Sequence, residues 1–194
     1  MFAAFLQPFV LVLGILSITS EFRHGTITPS LLVTPDRVRL VLAKLGASVL
    51  VGLVLGLVTS VLIFLIVKGI GGARDLDTSG DGGKVIIGTT VGTALWGALG
   101  LGVGSILRNQ VGAIVGILIY GFILEDLIGL IPGIRDVLPK YGLGGVSNSL
   151  AGVGDAITDE EMLSQPVAGL LLALYVLVIW AIGLLVMRRR DVTA

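Results

Sequence analysis

The sequence predicts an all-α integral membrane protein, a bundle of five transmembrane helices, and three observations carry that prediction. Mean hydropathy is +1.04. Apolar residues make up 55% of the 194 positions and charged residues 13%, where a soluble domain carries nearer a quarter charged. The apolar residues also fall in blocks long enough to cross a bilayer, which a water-soluble core does not require. The 29 glycines, many inside those blocks, let helices pack closely and favour a bundle over a single anchor. The whole chain, 1–194, is therefore expected to form one transmembrane domain.

The first span is expected at 2–19, with Gln7 and Pro8 near its start; proline is tolerated early in a membrane helix. Met1–Phe5 has neither a basic lead-in nor a small-residue cleavage site, so no signal peptide is expected. A connection follows from Glu21 to Lys44 that carries four of the thirteen basic residues: Arg23, Arg37, Arg39 and Lys44. Thr28-Pro29 and Thr34-Pro35 each read as a cap followed by proline at the first helical position. A short surface helix is expected over 29–33, and a new helix from Pro35. The second span is expected at 40–67, where Lys44 can snorkel toward one end. A polar, glycine-rich loop over 68–84 leads to the third span, 85–107. Arg108-Asn109-Gln110 makes a tight turn into the fourth, 111–131, so that the two form a hairpin. Residues 132–166 are too polar to span; Leu138, Tyr141, Leu143 and Val146 suggest short helices at the membrane surface. The fifth span, 167–187, is stopped by Arg188-Arg189-Arg190.

Basic residues orient the bundle. With the Glu21–Lys44 connection inside, Arg23, Arg37, Arg39, Lys44, Arg108 and Arg188–Arg190 lie on the inner side, against Lys68, Arg74, Lys84, Arg135 and Lys140 outside. The expected topology has the N-terminus outside and the C-terminus cytoplasmic, in a multi-pass protein of the plasma membrane.

Several chemistries find no support. Zero net charge gives no sign of nucleic-acid binding. With no cysteine there is no disulfide or thiolate metal site. Asp75-x-Asp77-x-Ser79-Gly80-Asp81 resembles half of a calcium loop, but Ile86 stands where the bidentate glutamate belongs. Gly80–Lys84 lacks the upstream glycine and the following Ser or Thr of a phosphate loop. No catalytic, metal or cofactor residues are expected, and the chain is not expected to be an enzyme.

Glu21-Phe22-Arg23-x-Gly25-Thr26-Ile27, followed by Pro35-x-Arg37 and Lys44, resembles the membrane subunit of an ABC-type exporter of the type-2 permease class. Trp96–Gly104, Arg108, Gly112-Ala113-Ile114, Glu125, Leu138-Pro139 and the Arg188–Asp191 ending are similar to later parts of the same family. The resemblance implies a coupling helix between the first two spans, docking on a separate cytoplasmic ABC ATPase that hydrolyses the ATP. It also implies pairing with a second permease subunit, and small helices that cap the outer end. The family has six spans and its first is lacking here. The expectation is that the natural product begins upstream of Met1, or that a partner subunit supplies the missing contact.

Glu21, Phe22, Arg23, Gly25, Thr26, Leu31, Leu32, Pro35 and Arg37 are thus candidates for ATPase coupling; the alternative is a solvated loop with a helix cap. His24 has no metal-ligand partners nearby. Glu125 and Asp126, within the fourth span, are either functional intramembrane acids or interfacial groups capped by the outer helices. The GxxxG pairs are packing surfaces within one subunit or, for one of them, a dimer contact. Thr59, Ser60, Thr89, Thr90, Thr93 and Ser105 are the hydroxyls that could line a cargo path. The alternative to an exporter subunit is a membrane scaffold or sensor without one.

Overall fold

Small residues dictate the centre of this fold. The computed structural model describes residues 2–24, 37–73, 81–107, 109–131, 133–134, 137–152 and 162–189, and among these every regular element is helical. Helices α1 (Phe2–Arg23) and α2 (Arg37–Ala73) precede α3 (Gly82–Leu107). Helix α4 (Gln110–Ile119) continues through a π-helical turn, Tyr120–Leu124, into α5 (Glu125–Ile128). Two short helices, α6 (Leu138–Tyr141) and α7 (Leu143–Leu150), precede α8 (Gln165–Arg189). Helix α3 is the axis against which α1, α2 and α8 pack. Of its most apolar stretch 61% is buried within the protein, against 17% for α2 and for α8.

Glycines on α3 and its neighbours permit this density. A Cβ at Gly52 of α2 would stand 2.6 Å from the Cα of Ala94, and one at Gly100 would collide with the carbonyl of Leu11. Gly52/Gly56, Gly88/Gly92 and Gly100/Gly104 all face other parts of the same chain. Gly116 differs: among the described residues no heavy atom stands within 4 Å of its Cβ position. Leu11, Ile15, Ala98, Leu99, Ala113 and Val176 form the main apolar cluster, and Val146, Leu150, Ala168 and Leu172 seat α7 on α8. The outward faces remain apolar. Leu50, Val54, Leu57, Val58, Leu62 and Leu65 of α2 are each about half exposed, a surface that a bilayer accommodates better than water does.

Three helices are long and apolar enough to cross a membrane: Arg39–Ile70, Gly82–Leu107 and Gln165–Val186. The apolar parts of α1 (Leu6–Glu21) and α4 (Gln110–Ile119) are shorter. Two boundaries move outward from the sequence reading. Helix α1 runs to Arg23, taking in Glu21 and Phe22, because no breaker precedes Gly25. Helix α2 runs past Lys68 to Ala73, into the expected loop; Lys68 Nζ lies 5.7 Å from the centre of the Phe64 ring one turn back. The expected fourth span is divided by the wide turn at Tyr120–Leu124, a form often associated with functional sites.

The short helices after Pro132 appear where Leu138 to Val146 suggest them, but α7 is set into the bundle. Gly145, Val146, Ser147, Ser149 and Leu150 are buried. Gln165 Nε2 donates to the carbonyls of Leu150 (2.8 Å) and Lys84 (2.7 Å), tying α7, α3 and α8 together at one end. Asp81 caps α3 there: its Oδ1 accepts the Lys84 N–H at 3.2 Å. Its carboxyl also pairs with the Lys84 side chain, which holds it below the ordinary carboxylate range. The other members of the calcium-like stretch, Asp75, Asp77 and Ser79, lie outside the described residues.

Candidate functional site

The two ends of the bundle carry different chemistry. At one end α1 finishes, α2 begins and α3 turns into α4. Lys44 Nζ bonds Glu21 Oε1 at 2.8 Å and donates to the Ser17 carbonyl at 2.6 Å. Both side chains are about one-fifth exposed, 19% for Lys44 and 22% for Glu21. A cation at the C-terminal end of α1 also suits the helix dipole. Glu21 Oε2 is buried and has no hydrogen-bond partner among the described residues. Arg23 extends from the same turn and donates to Gln110 Oε1 at 3.3 Å, linking α1 to the start of α4. His24 Nδ1 lies 2.9 Å from the Ser20 carbonyl, an exposed contact that closes the end of α1. Asn109 Oδ1 accepts the Gly112 N–H at 3.1 Å and caps α4.

Of the proposed coupling residues, Glu21 and Arg23 are therefore brought together at the neck of the connection. Gly25, Thr26, Leu31, Leu32 and Pro35 lie outside the described residues, as do the side chains of Phe22 and Arg37 and the expected helix over 29–33. In the sequence Lys44 stands out as a snorkelling residue, as one of the inner cations and as part of the connection motif, not as a partner of Glu21. Its bonds to Glu21 and Ser17 cross 23 and 27 positions of sequence and no local spacing signals them.

At the other end, Glu125 is 9% exposed. Its Oε1 accepts the Gly144 N–H at 2.8 Å. The reason lies in α7, whose cap residue is Gly142 and has no side chain to satisfy the free N–H groups of the first turn. The carboxylate from α5 supplies that acceptor. It also occupies the space of a Cβ at Gly142, which would collide with Glu125 Oε1. The Asp126 side chain lies outside the described residues. Glu125→Ala should lower thermal stability in detergent by about 1–2 kcal/mol, the usual cost of a lost N-terminal acceptor. Glu125→Gln, which retains an oxygen, should lose less than half of that. Equal losses for the two would show that the acceptor is not what matters.

Beside this contact lies a cleft of about 150 Å³, walled by α1, α3, the region around the π-turn, and α7. Trp96 of α3 crosses it, donating from Nε1 to Ser147 Oγ at 2.8 Å. The hydroxyls considered for a cargo path lie elsewhere. Ser60 Oγ is 3.2 Å from Thr90 Oγ1 between α2 and α3, while Thr93 and Ser105 donate to carbonyls of their own helix. Gln7, Pro8 and Trp96 stand out in the sequence for other reasons, whereas no local signal marks Ser147 and Asn148, which complete the wall.

Comparison of the chain with protein-family models, with curated proteins and with solved structures gave no match.

Proposed function

We propose that the chain is the membrane-spanning permease subunit of an ATP-driven exporter, working with a separate cytoplasmic ABC ATPase and a second permease subunit. In this reading five segments cross the plasma membrane, with the C-terminus and the 25–36 connection on the cytoplasmic side. The observation that carries it is the clamp at the neck of the connection. Lys44 joins the last turns of α1 to the first turns of α2 through Glu21 and the Ser17 carbonyl. Force applied to the intervening segment by a docked ATPase would then reach both helices together, and through them α3. The sequence pattern of the connection supports the same partner.

The deciding experiment is affinity purification in mild detergent. A stoichiometric ATPase should accompany the folded chain; a folded chain that arrives alone favours the scaffold or sensor reading. Orientation is checked separately in this cysteine-free protein. A cysteine placed in the 74–80 stretch should react with an impermeant thiol reagent added outside intact cells, and a cysteine at Asn109 should react only after lysis. The reverse pattern would place the clamp on the outer side and remove the coupling argument.

A further inference from the structure

We infer that the cleft between α1, α3, the π-turn and α7 binds a small uncharged molecule with a ring-sized apolar body and one hydrogen-bonding group. Its room of about 150 Å³ matches that of an engineered apolar protein cavity that takes up a single benzene. Leu11, Ile117, Leu118 and the Trp96 indole supply apolar walls, and among the described residues no acidic or basic side chain lines it. The carboxylate behind it, Glu125, is committed to the Gly144 N–H. An ion would therefore lose its hydration and meet no counter-charge, an expensive transfer.

The polar groups of the cleft divide into used and unused. Trp96 N–H is spent on Ser147, and the Ser147 hydroxyl donates onward to the Leu143 carbonyl at 2.6 Å. The carboxamides of Gln7 and Asn148 remain, and among the described residues neither makes a hydrogen bond. Gln7 is the decisive one. The residue is only 5% exposed, and its carboxamide, which is not sealed off, is left to bond an occupant of the cleft. Its Nε2 is held against α3, where a methyl group at Gly92 would come within 3.2 Å of it. A water could satisfy the amide but not the apolar remainder of the cleft. A neutral ring carrying a hydroxyl or amide satisfies both. Gly121, in the π-turn, lines the cleft; it is exposed, and among the described residues no heavy atom stands within 4 Å of its Cβ position. None of this depends on an ATPase.

The test uses the purified full chain in mild detergent. Trp180→Phe leaves Trp96 as the single tryptophan, and para-bromobenzyl alcohol serves as a heavy-atom quencher. Saturable quenching of Trp96 is expected, with para-bromotoluene roughly three- to tenfold weaker, as befits one hydrogen bond, and para-bromobenzoate without a saturable phase. Gln7→Leu should bring the alcohol to the level of the hydrocarbon. Gly121→Leu, which fills open space without a clash, should abolish saturation. Quenching that never saturates, that survives Gly121→Leu, or that fails to distinguish alcohol from hydrocarbon overturns the inference. Should Trp180→Phe not fold, Gly121→Cys in the native background replaces it. The alcohol should then slow maleimide labelling severalfold more than para-bromotoluene does, and equal rates overturn the inference.

Discussion

Gly100→Leu is expected to be among the most damaging substitutions in the bundle. A Cβ at this position meets the carbonyl oxygen of Leu11, with the carbonyl carbon at 2.8 Å and the Cα at 3.0 Å. These are backbone atoms of a helix and cannot rotate aside as a side-chain terminus could. Relief requires α1 to move off α3, which opens the cluster of Leu11, Ile15, Ala98 and Leu99. Ordinary overpacking costs about 1–3 kcal/mol; with backbone on one side, about 3 kcal/mol or more is expected, with reduced yield. Gly116→Leu is the matched control. Its Cβ position is open, so it should remain within about 0.5 kcal/mol of the native protein. Thermal unfolding in detergent measures both, and equal stabilities would refute the α1–α3 contact.

The second large effect is expected at the clamp. Lys44→Glu sets a carboxylate against Glu21, whose Oε2 is already buried without a partner among the described residues. Breaking a fully buried pair costs about 3–5 kcal/mol. With one-fifth of each side chain exposed, about 2–3 kcal/mol is expected here. Glu21→Lys alone should cost less, since the lysine removed from its partner can reach solvent. Combining the two restores the opposite charges but not the bond to the Ser17 carbonyl, so recovery should be partial. A double-mutant cycle should show a coupling of about 1–2 kcal/mol, and additive single effects would mean that the ion pair contributes nothing. If the chain couples to an ATPase, Lys44→Glu should also reduce cargo movement more than ATP hydrolysis.

The helices were legible because apolar runs of the right length have few other uses, and the short helices after Pro132 because Leu138, Tyr141, Leu143 and Val146 stand out in a mixed, polar stretch. Ends were less legible. Hydropathy marks where a helix suits a bilayer, whereas backbone bonding continues until something breaks it. That is why α1 extends through Arg23 and α2 through Ala73. The π-turn in the fourth apolar segment carried no recognised signal, since Tyr120–Leu124 reads as ordinary helix.

Composition and pattern by themselves determined that the chain is helical, apolar on its outer faces and packed through small residues, because those properties follow from residue type and period. Only the tertiary structure decided what the scattered polar groups do. Glu125 accepts the Gly144 N–H, across 19 positions of sequence, only because α7 packs beside it. Gln7, Trp96, Ser147 and Asn148 share a cleft only because α1, α3 and α7 converge there, and Glu21 meets Lys44 only because α2 returns beside α1. Such contacts join side chains distant in sequence. Their energies depend on burial and on bond geometry, neither of which any local spacing encodes.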